Sequence, residues 1–256
     1  TWTIGGTLRV GSGVTGGSDS ANLLEVRNGG AVTVSGNSFV GHGATSSNNV
    51  LNVDGPGSTL NLQALTVGRV AGGTGNLATV TSGGALSATS ITIGESSGLV
   101  VGDGGLPGSV STPTITGSLA GAFVRFNHAA NNLDFSPTLS GTLAIVHDGT
   151  GLTTLTGAAS NFGATTVNGG TLVLGTLTST AATVNTDGTL AVSSGATASV
   201  SGDYNQIGNG IFRTHIADVT TFGRLNVAGD VNLPPSTRLD ARVQNCSAII
   251  PGTTLI

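Results

Sequence analysis

The sequence predicts an all-β chain that winds as a right-handed parallel β-helix and ends in a C-terminal capping region. Three observations support this prediction: a 27-residue repeat, a composition rich in strand-forming Val, Ile and Thr, and glycine-rich turns at regular places. Glycine supplies 43 of the 256 residues, whereas only 8% of residues are charged. Disordered chains combine high charge with low hydrophobicity, so we expect this chain to fold.

The repeat is clearest in the first hundred residues. An apolar strand ends at a valine, and this valine recurs at a constant interval as Val26, Val53 and Val80. Each valine leads into a turn sequence, namely Arg27-Asn28-Gly29-Gly30, Asp54-Gly55-Pro56-Gly57 or Thr81-Ser82-Gly83-Gly84. An apolar residue followed by glycine keeps nearly the same phase at Val40-Gly41, Val67-Gly68 and Ile93-Gly94. The two markers together define one structural unit.

Each unit is predicted to fold as strand, tight turn, strand, short arc and strand. Alternation of apolar and polar residues, as in Val32-Thr33-Val34, is typical of a half-buried strand, and the glycines supply the positive φ that sharp turns need. One unit is too thin to bury its apolar face, but stacked coils bury one another. A meander of β-hairpins is the competing arrangement. We favour the β-helix because the units contain three strands. We expect the helix to be right-handed because crossovers between parallel strands are right-handed.

The helix is predicted to contain about ten coils and to be about 50 Å long, at about 4.8 Å per step between strands. The pattern changes near residue 121, which divides the chain into three predicted regions. Residues 1–120 carry the 27-residue repeats, residues 121–201 carry a different and Phe-richer pattern, and residues 202–256 form the cap. A cap is expected because an open stack leaves unpaired strand edges at its end.

The segment from Leu155 to Gly175 carries a recognisable motif. It contains Leu155-Thr156-Gly157, Phe162-Gly163 and the run Thr165-Thr166-Val167-Asn168-Gly169-Gly170-Thr171-Leu172. This motif closely resembles the autotransporter-associated β-strand repeat of bacterial type V secretion passengers. The 27-residue units resemble a second repeat of the same secreted proteins, and residues 202–206 and 223–229 resemble the end of a passenger.

The resemblance implies a β-helical passenger at the surface of a Gram-negative bacterium. It implies one partner within the same polypeptide, an outer-membrane barrel domain that would lie outside these 256 residues. Further partners implied are host surfaces, glycans or identical passengers. It also implies that the C-terminal region nucleates folding during export.

Charge and hydropathy exclude several other classes. The formal net charge is −4 and all eight basic residues are Arg, whereas nucleic-acid binding requires clustered basic residues and a basic pI. No apolar run approaches the length of about 18 residues needed for a transmembrane helix. The first residues lack a charged segment followed by an apolar core, so no signal peptide is expected among them. The single Cys246 cannot form an internal disulfide, and its role stays open.

Few residues are candidates for catalysis or ligand binding, so we expect no catalytic, cofactor-binding or metal-binding site and no cofactor. The four histidines, His42, His128, His147 and His215, lack metal-ligand spacing and are predicted to lie in turns or at the surface. His147 and Asp148 are adjacent, so on a strand they would face opposite sides and form no dyad. The following Gly149-Thr150-Gly151 favours a turn, and we interpret the pair as structural. Most acids lie beside glycine, as in Asp54-Gly55, Asp103-Gly104, Asp148-Gly149 and Asp187-Gly188, which is typical of turns.

Two further predictions concern the interior. Asn76 and Asn168 are predicted to lie in equivalent turns and to belong to ladders of stacked amides. The phenylalanines of the middle region are predicted to stack in the core: Phe123, Phe126, Phe135 and Phe162.

These observations predict a non-enzymatic passenger fragment that acts as an adhesin, a self-association module or a stalk. The alternative is a carbohydrate-active β-helix, that is, a polysaccharide lyase or hydrolase. That alternative requires a groove with at least two carboxylates from neighbouring coils.

Overall fold

The computed structural model describes residues 1–13, 19–161 and 163–244. These residues form 29 β-strands and no helix, and therefore no helix that could cross a membrane. The strands are β1 (Trp2–Ile4), β2 (Leu8–Val10), β3 (Leu23–Val26), β4 (Ala31–Val34), β5 (Ser38–Val40), β6 (Val50–Asp54), β7 (Thr59–Val67), β8 (Leu77–Thr81), β9 (Ala85–Ile93), β10 (Gly98–Val101), β11 (Ser109–Ser111), β12 (Thr114–Gly117), β13 (Phe123–Phe126), β14 (Leu133–Phe135), β15 (Thr138–Gly141), β16 (Ala144–His147), β17 (Leu152–Leu155), β18 (Ala159–Asn161), β19 (Thr165–Val167), β20 (Gly170–Leu174), β21 (Leu177–Ser179), β22 (Ala182–Val184), β23 (Gly188–Val192), β24 (Thr197–Val200), β25 (Tyr204–Gln206), β26 (Ile211–Ile216), β27 (Arg224–Val227), β28 (Val231–Asn232) and β29 (Arg238–Val243).

The strands stack in three parallel sheets, which confirms the predicted β-helix over a hairpin meander. Sheet 1 follows the order β1-β4-β7-β9-β12-β15-β18-β21-β24-β27, with β2, β5 and β11 beside this path. Sheet 2 runs β3-β6-β8-β10-β13-β16-β19-β22-β25-β28, and sheet 3 runs β14-β17-β20-β23-β26-β29. The ten strands of sheet 2 extend over about 43 Å at about 4.8 Å per step.

The register confirms the predicted repeat. Val26 pairs with Val53, and Val53 pairs with Val80, so successive coils of this part are one 27-residue repeat apart. Beyond Val80 the coils become unequal and generally shorter. Val167 pairs with Val184 after a 17-residue step, whereas Tyr204 pairs with Val231 after a 27-residue step. The coil therefore narrows in the middle of the molecule and widens again.

One inward-facing column of sheet 2 shows how the core is built. Paired residues place the following side chains directly above one another: Val26, Val53, Val80, Val101, Phe126, His147, Val167, Val184 and Gln206. All of them are buried, and most belong to a single apolar cluster that extends from Leu8 to Tyr204. The two polar members of the column, His147 and Gln206, need hydrogen-bond partners inside the core.

The shape of the coils changes along the rod. In the first coils β7 and β9 are nine residues long, and β7 pairs with β4 through its first half and β5 through its second half. Sheet 3 begins only at β14, so later coils have three separate faces. Residues 202–244 of the predicted cap continue all three sheets through β25–β29. The remaining residues of that region, including Cys246, lie outside the described residues.

A ladder of asparagines ties the first coils together. Asn49 Nδ2 donates to Asn76 Oδ1 at 2.9 Å, and Asn22 Nδ2 donates to Asn49 Oδ1 at 2.9 Å. Asn76 Nδ2 in turn donates to the carbonyl oxygens of Ser46 and Gly73, both at 2.9 Å. The predicted ladder at Asn76 is therefore confirmed.

The predicted equivalence of the Asn76 and Asn168 turns is wrong. Asn168 belongs to a second, exposed ladder, where its amide donates to Asp148 and accepts from Asn185. Asn76 precedes a strand of sheet 2, whereas Asn168 follows one, so the two ladders lie at opposite ends of the strands of this sheet.

Candidate functional site

An open groove of about 660 Å³ lies on the outer face of sheet 2 in the first coils. The parallel register aligns its lining residues in rows along the axis of the rod. One row is Glu25, Asn52, Thr79, Val100 and Arg125, each paired with the next. The other lining residues are Leu23, Val50, Asp54, Leu77, Thr81, Gly102, Asp103 and Asn127. We call this surface the sheet 2 groove.

The polar side chains of the sheet 2 groove bind one another from coil to coil. Thr79 Oγ1 donates to Asn52 Oδ1 at 2.6 Å, and Asn52 Nδ2 donates to Glu25 Oε1 at 3.2 Å. The Thr81 hydroxyl donates to Asp54 Oδ1 at 2.7 Å. These bonds hold the rows in place, so the groove presents a preformed pattern of hydroxyl, amide and carboxylate groups.

Three of the groove's acids come from different coils: Glu25, Asp54 and Asp103. Glu25 forms an ion pair with Arg27 at 3.1 Å, and Asp103 accepts from the Gly105 N–H at 3.3 Å. The hydrogen bonds from Thr81 and Ser82 lower the pKa of Asp54. Asp54 is therefore ionised at neutral pH and can accept hydrogen bonds, but it is not the protonated carboxyl that a general acid requires.

The arginine that lines the groove also has partners. Arg125 Nε lies 3.2 Å from Asp148 Oδ2, and its guanidinium carbon lies 5.3 Å from the centre of the Phe123 ring. Phe123 is partly exposed on this outer face, so its predicted core position is wrong. Phe126 and Phe135 are buried with ring centres 4.9 Å apart, as predicted, and Phe162 lies outside the described residues.

Two of the four histidines occupy the core. His147 is fully buried in β16, so its predicted place in a turn or at the surface is wrong. His128 lies in the connection between β13 and β14, but it is fully buried and not at the surface. His42 and His215 are partly exposed. His147 and Asp148 face opposite sides, as residues of a strand would, because His147 lies in the inward column while Asp148 pairs with Arg125 outside. Sequence reasoning missed that His147 occupies an inward position which most other coils fill with valine, because only the register reveals this position.

The buried histidines share one hydroxyl group. His128 Nε2 lies 2.8 Å from Thr153 Oγ1, and His147 Nε2 lies 3.1 Å from the same atom. The Ala130 N–H donates to His128 Nδ1 at 3.2 Å, and His147 Nδ1 lies 2.9 Å from the carbonyl oxygen of Gly169. We call the chain from His128 through Thr153 and His147 to Gly169 the imidazole relay.

The partners assign the protons of the imidazole relay. Because His128 Nδ1 accepts a hydrogen bond, the proton of its neutral ring lies on Nε2 and is donated to Thr153. The Thr153 hydroxyl then donates to His147 Nε2, and His147 Nδ1–H donates to Gly169. Burial lowers the pKa of His128 and lowers the pKa of His147 to about 4, so both rings are neutral at pH 7.

Neither the sheet 2 groove nor the imidazole relay is arranged as a metal centre. Within residues 1–13, 19–161 and 163–244, no three His, Cys, Asp or Glu side chains are placed to hold a metal ion. His128 and His147 direct their Nε2 atoms at a hydroxyl that already joins them.

Comparisons with models of protein families, with curated proteins and with solved structures found no significant match.

Proposed function

We propose that this chain is part of a surface-displayed β-helical passenger that acts in adhesion, self-association or as a stalk. The sheet 2 groove is the single observation that carries this proposal. It is open, runs along the rod, and presents polar groups already fixed by contacts between coils. Such a surface suits contact with an extended, hydroxyl-rich or amide-rich partner, because preorganised groups lose little entropy on binding.

Beads coated with the purified chain test this proposal. We expect them to aggregate or to bind immobilised glycans and matrix proteins. Thr79→Arg, which places a long cation in the middle of the groove, is expected to reduce the effect at least several-fold.

Ser87→Arg is the matched control, because Ser87 is a partly exposed polar residue on the neighbouring strand β9 of sheet 1. We expect it to leave binding unchanged. Equal loss in the two variants would show that the groove is not the binding surface. Absence of aggregation and of binding in the unaltered chain would contradict the adhesive and self-associating functions.

A second candidate is a carbohydrate-active enzyme. Glu25 and Asp54 lie on neighbouring coils in the same groove, and two carboxylates from neighbouring coils are the minimum that such an enzyme requires. Incubation with a panel of polysaccharides, followed by assay of new reducing ends and of unsaturated products, tests it. Product formed by the unaltered chain and abolished in Asp54→Asn would support the enzyme over the binding protein.

A further inference from the structure

The imidazole relay satisfies its hydrogen bonds only while both rings are neutral. An extra proton on His128 would go to Nδ1, which faces the Ala130 N–H. An extra proton on His147 would go to Nε2, so that Thr153 would face two N–H donors and its own hydroxyl proton would lose its acceptor. Each protonation therefore creates an unpaired donor and a buried charge, both of which are costly.

Glycines close the space around His128, so the charge could not be relieved by a small movement. A Cβ at Gly149 would lie 2.2 Å from the backbone N and O atoms of His128, and one at Gly151 would lie 2.5 Å from its Nδ1. The next coil thus packs against the His128 ring at Gly151 and against the His128 backbone at Gly149. Water can reach the ring only if these coils separate.

Burial of His147 lowers its pKa more than the charge of nearby Asp148 raises it, and the pKa of His128 is lowered by burial alone. Asp148 and Arg125 pair with each other on the outer side of sheet 2. Asp103, beyond β10, and Asp134, on β14, are exposed to solvent. The two rings contact each other edge to face, and both contact Thr153. Their other neighbours include apolar side chains such as Phe126, whose ring centre is 6.3 Å from that of His147.

We propose that the imidazole relay acts as a proton-operated lock. While both rings are neutral, the relay holds together the coils between Phe126 and Gly170. Protonation releases these coils locally, and the 27-residue coils stay folded. The first coils have no equivalent weak point in the same column, since Val53, Val80 and Val101 fill it with apolar side chains. The rod thus combines an acid-sensitive middle with N-terminal coils in which this column holds no titratable side chain; their histidine, His42, lies outside the column and is partly exposed. This inference is independent of the function proposed for the groove.

Hydrogen exchange measured by mass spectrometry at pH 7.5 and pH 4.5, corrected for intrinsic exchange rates, tests the lock. We expect protection in β16, β17, β19 and β20 to fall more than about tenfold on acidification, and protection in β6 and β8 to change less than about threefold. An equal fall in both parts, or no fall in either, would overturn the proposal.

A variant without the titrating rings provides the second arm. His128→Gln with His147→Asn is expected to abolish the selective fall, whereas the control His215→Gln retains it. Persistence of the fall in the double variant would overturn the proposal.

If the double variant does not fold, nitrogen NMR of the unaltered chain decides. We expect His128 as the Nε2–H tautomer and His147 as the Nδ1–H tautomer at pH 7. Any other tautomers, or a charged ring at pH 7, would overturn the lock.

Discussion

Asn49 and Asn76, one repeat apart, are joined by a hydrogen bond of 2.9 Å between their side-chain amides inside the first coils. Asn76 is fully buried and also binds two carbonyl oxygens through its Nδ2. A single side chain thus satisfies polar groups of two segments, the preceding coil at Ser46 and Asn49 and its own turn at Gly73. Its removal would leave all of them buried without partners.

Asn76→Ala is therefore expected to lower the free energy of unfolding by about 2–4 kcal/mol, since several buried groups lose their partners at once. Urea unfolding measures the change. Asn22→Ala is the matched control, because Asn22 is the exposed end of the same ladder, and we expect a loss below about 1 kcal/mol. Similar losses in the two variants would contradict the role assigned to the buried amide.

The stability of the protein is expected to depend on pH between 4 and 6.5. The folded state holds the pKa of His147 at about 4, below the ordinary value of 6.5, so the unfolded chain binds more protons in this range. The contribution is fully present above pH 6.5 and is lost as the pH falls, by about 3 kcal/mol at pH 4. Urea midpoints measured from pH 7.5 to pH 4 test this.

Asp19, Asp54, Asp218 and Asp240 have lowered pKa values and destabilise the fold only when protonated, below their ordinary value of 3.8. The histidine window is therefore separate from the carboxylate window. A flat profile between pH 7.5 and pH 4.5 would refute the assignment.

Gly94 sits where only glycine fits. A Cβ there would lie 1.6 Å from the carbonyl oxygen of Gly68 in the preceding coil. Gly94→Ala is expected to destabilise the chain by about 3 kcal/mol or more, because the two coils would have to separate. Gly5→Ala, where no atom lies within 4 Å of the new Cβ, is expected to change stability by less than about 0.5 kcal/mol. Thermal unfolding of both variants measures the two changes. An equal loss of stability in both would show that packing between coils is not the cause.

The electrostatics of the sheet 2 groove can be tested at Asp54. Thr81→Val removes the hydroxyl that contributes most to its low pKa, so the pKa should rise toward the ordinary 3.8. Carbon NMR titration of the carboxyl group measures it. Thr79→Val, which removes a hydroxyl bound to Asn52 instead, should leave the Asp54 pKa unchanged. A rise in both variants would point to a general change of the groove.

The repeat made the first coils predictable from sequence. Val26, Val53 and Val80 recur at a constant interval, and a constant interval fixes which residues lie above one another. The groove could have been found by the same logic, because Glu25, Asn52 and Thr79 each precede one of these valines and so share one outer row. This row was missed because its three members differ in residue type and carry no apolar signal.

The imidazole relay was not predictable because its coils are unequal. Phe126 pairs with His147, and His147 pairs with Val167, so neither step matches the repeat of the first coils. No fixed period links His128 with Thr153, so only the folded register brings them together. The adjacency of His147 and Asp148 drew attention to a pair that the strand separates, while the true partner lies on β17.

The shortening of the coils has a mechanical consequence. Between Val167 and Val184 the chain completes a 17-residue circuit, against 27-residue circuits in the first coils and at Tyr204, so the rod has a waist. A beam bends most easily where its cross-section is smallest. Flexure of the whole column will therefore concentrate at β19 and β22, and the broad segments on either side will swing as stiff arms about this point.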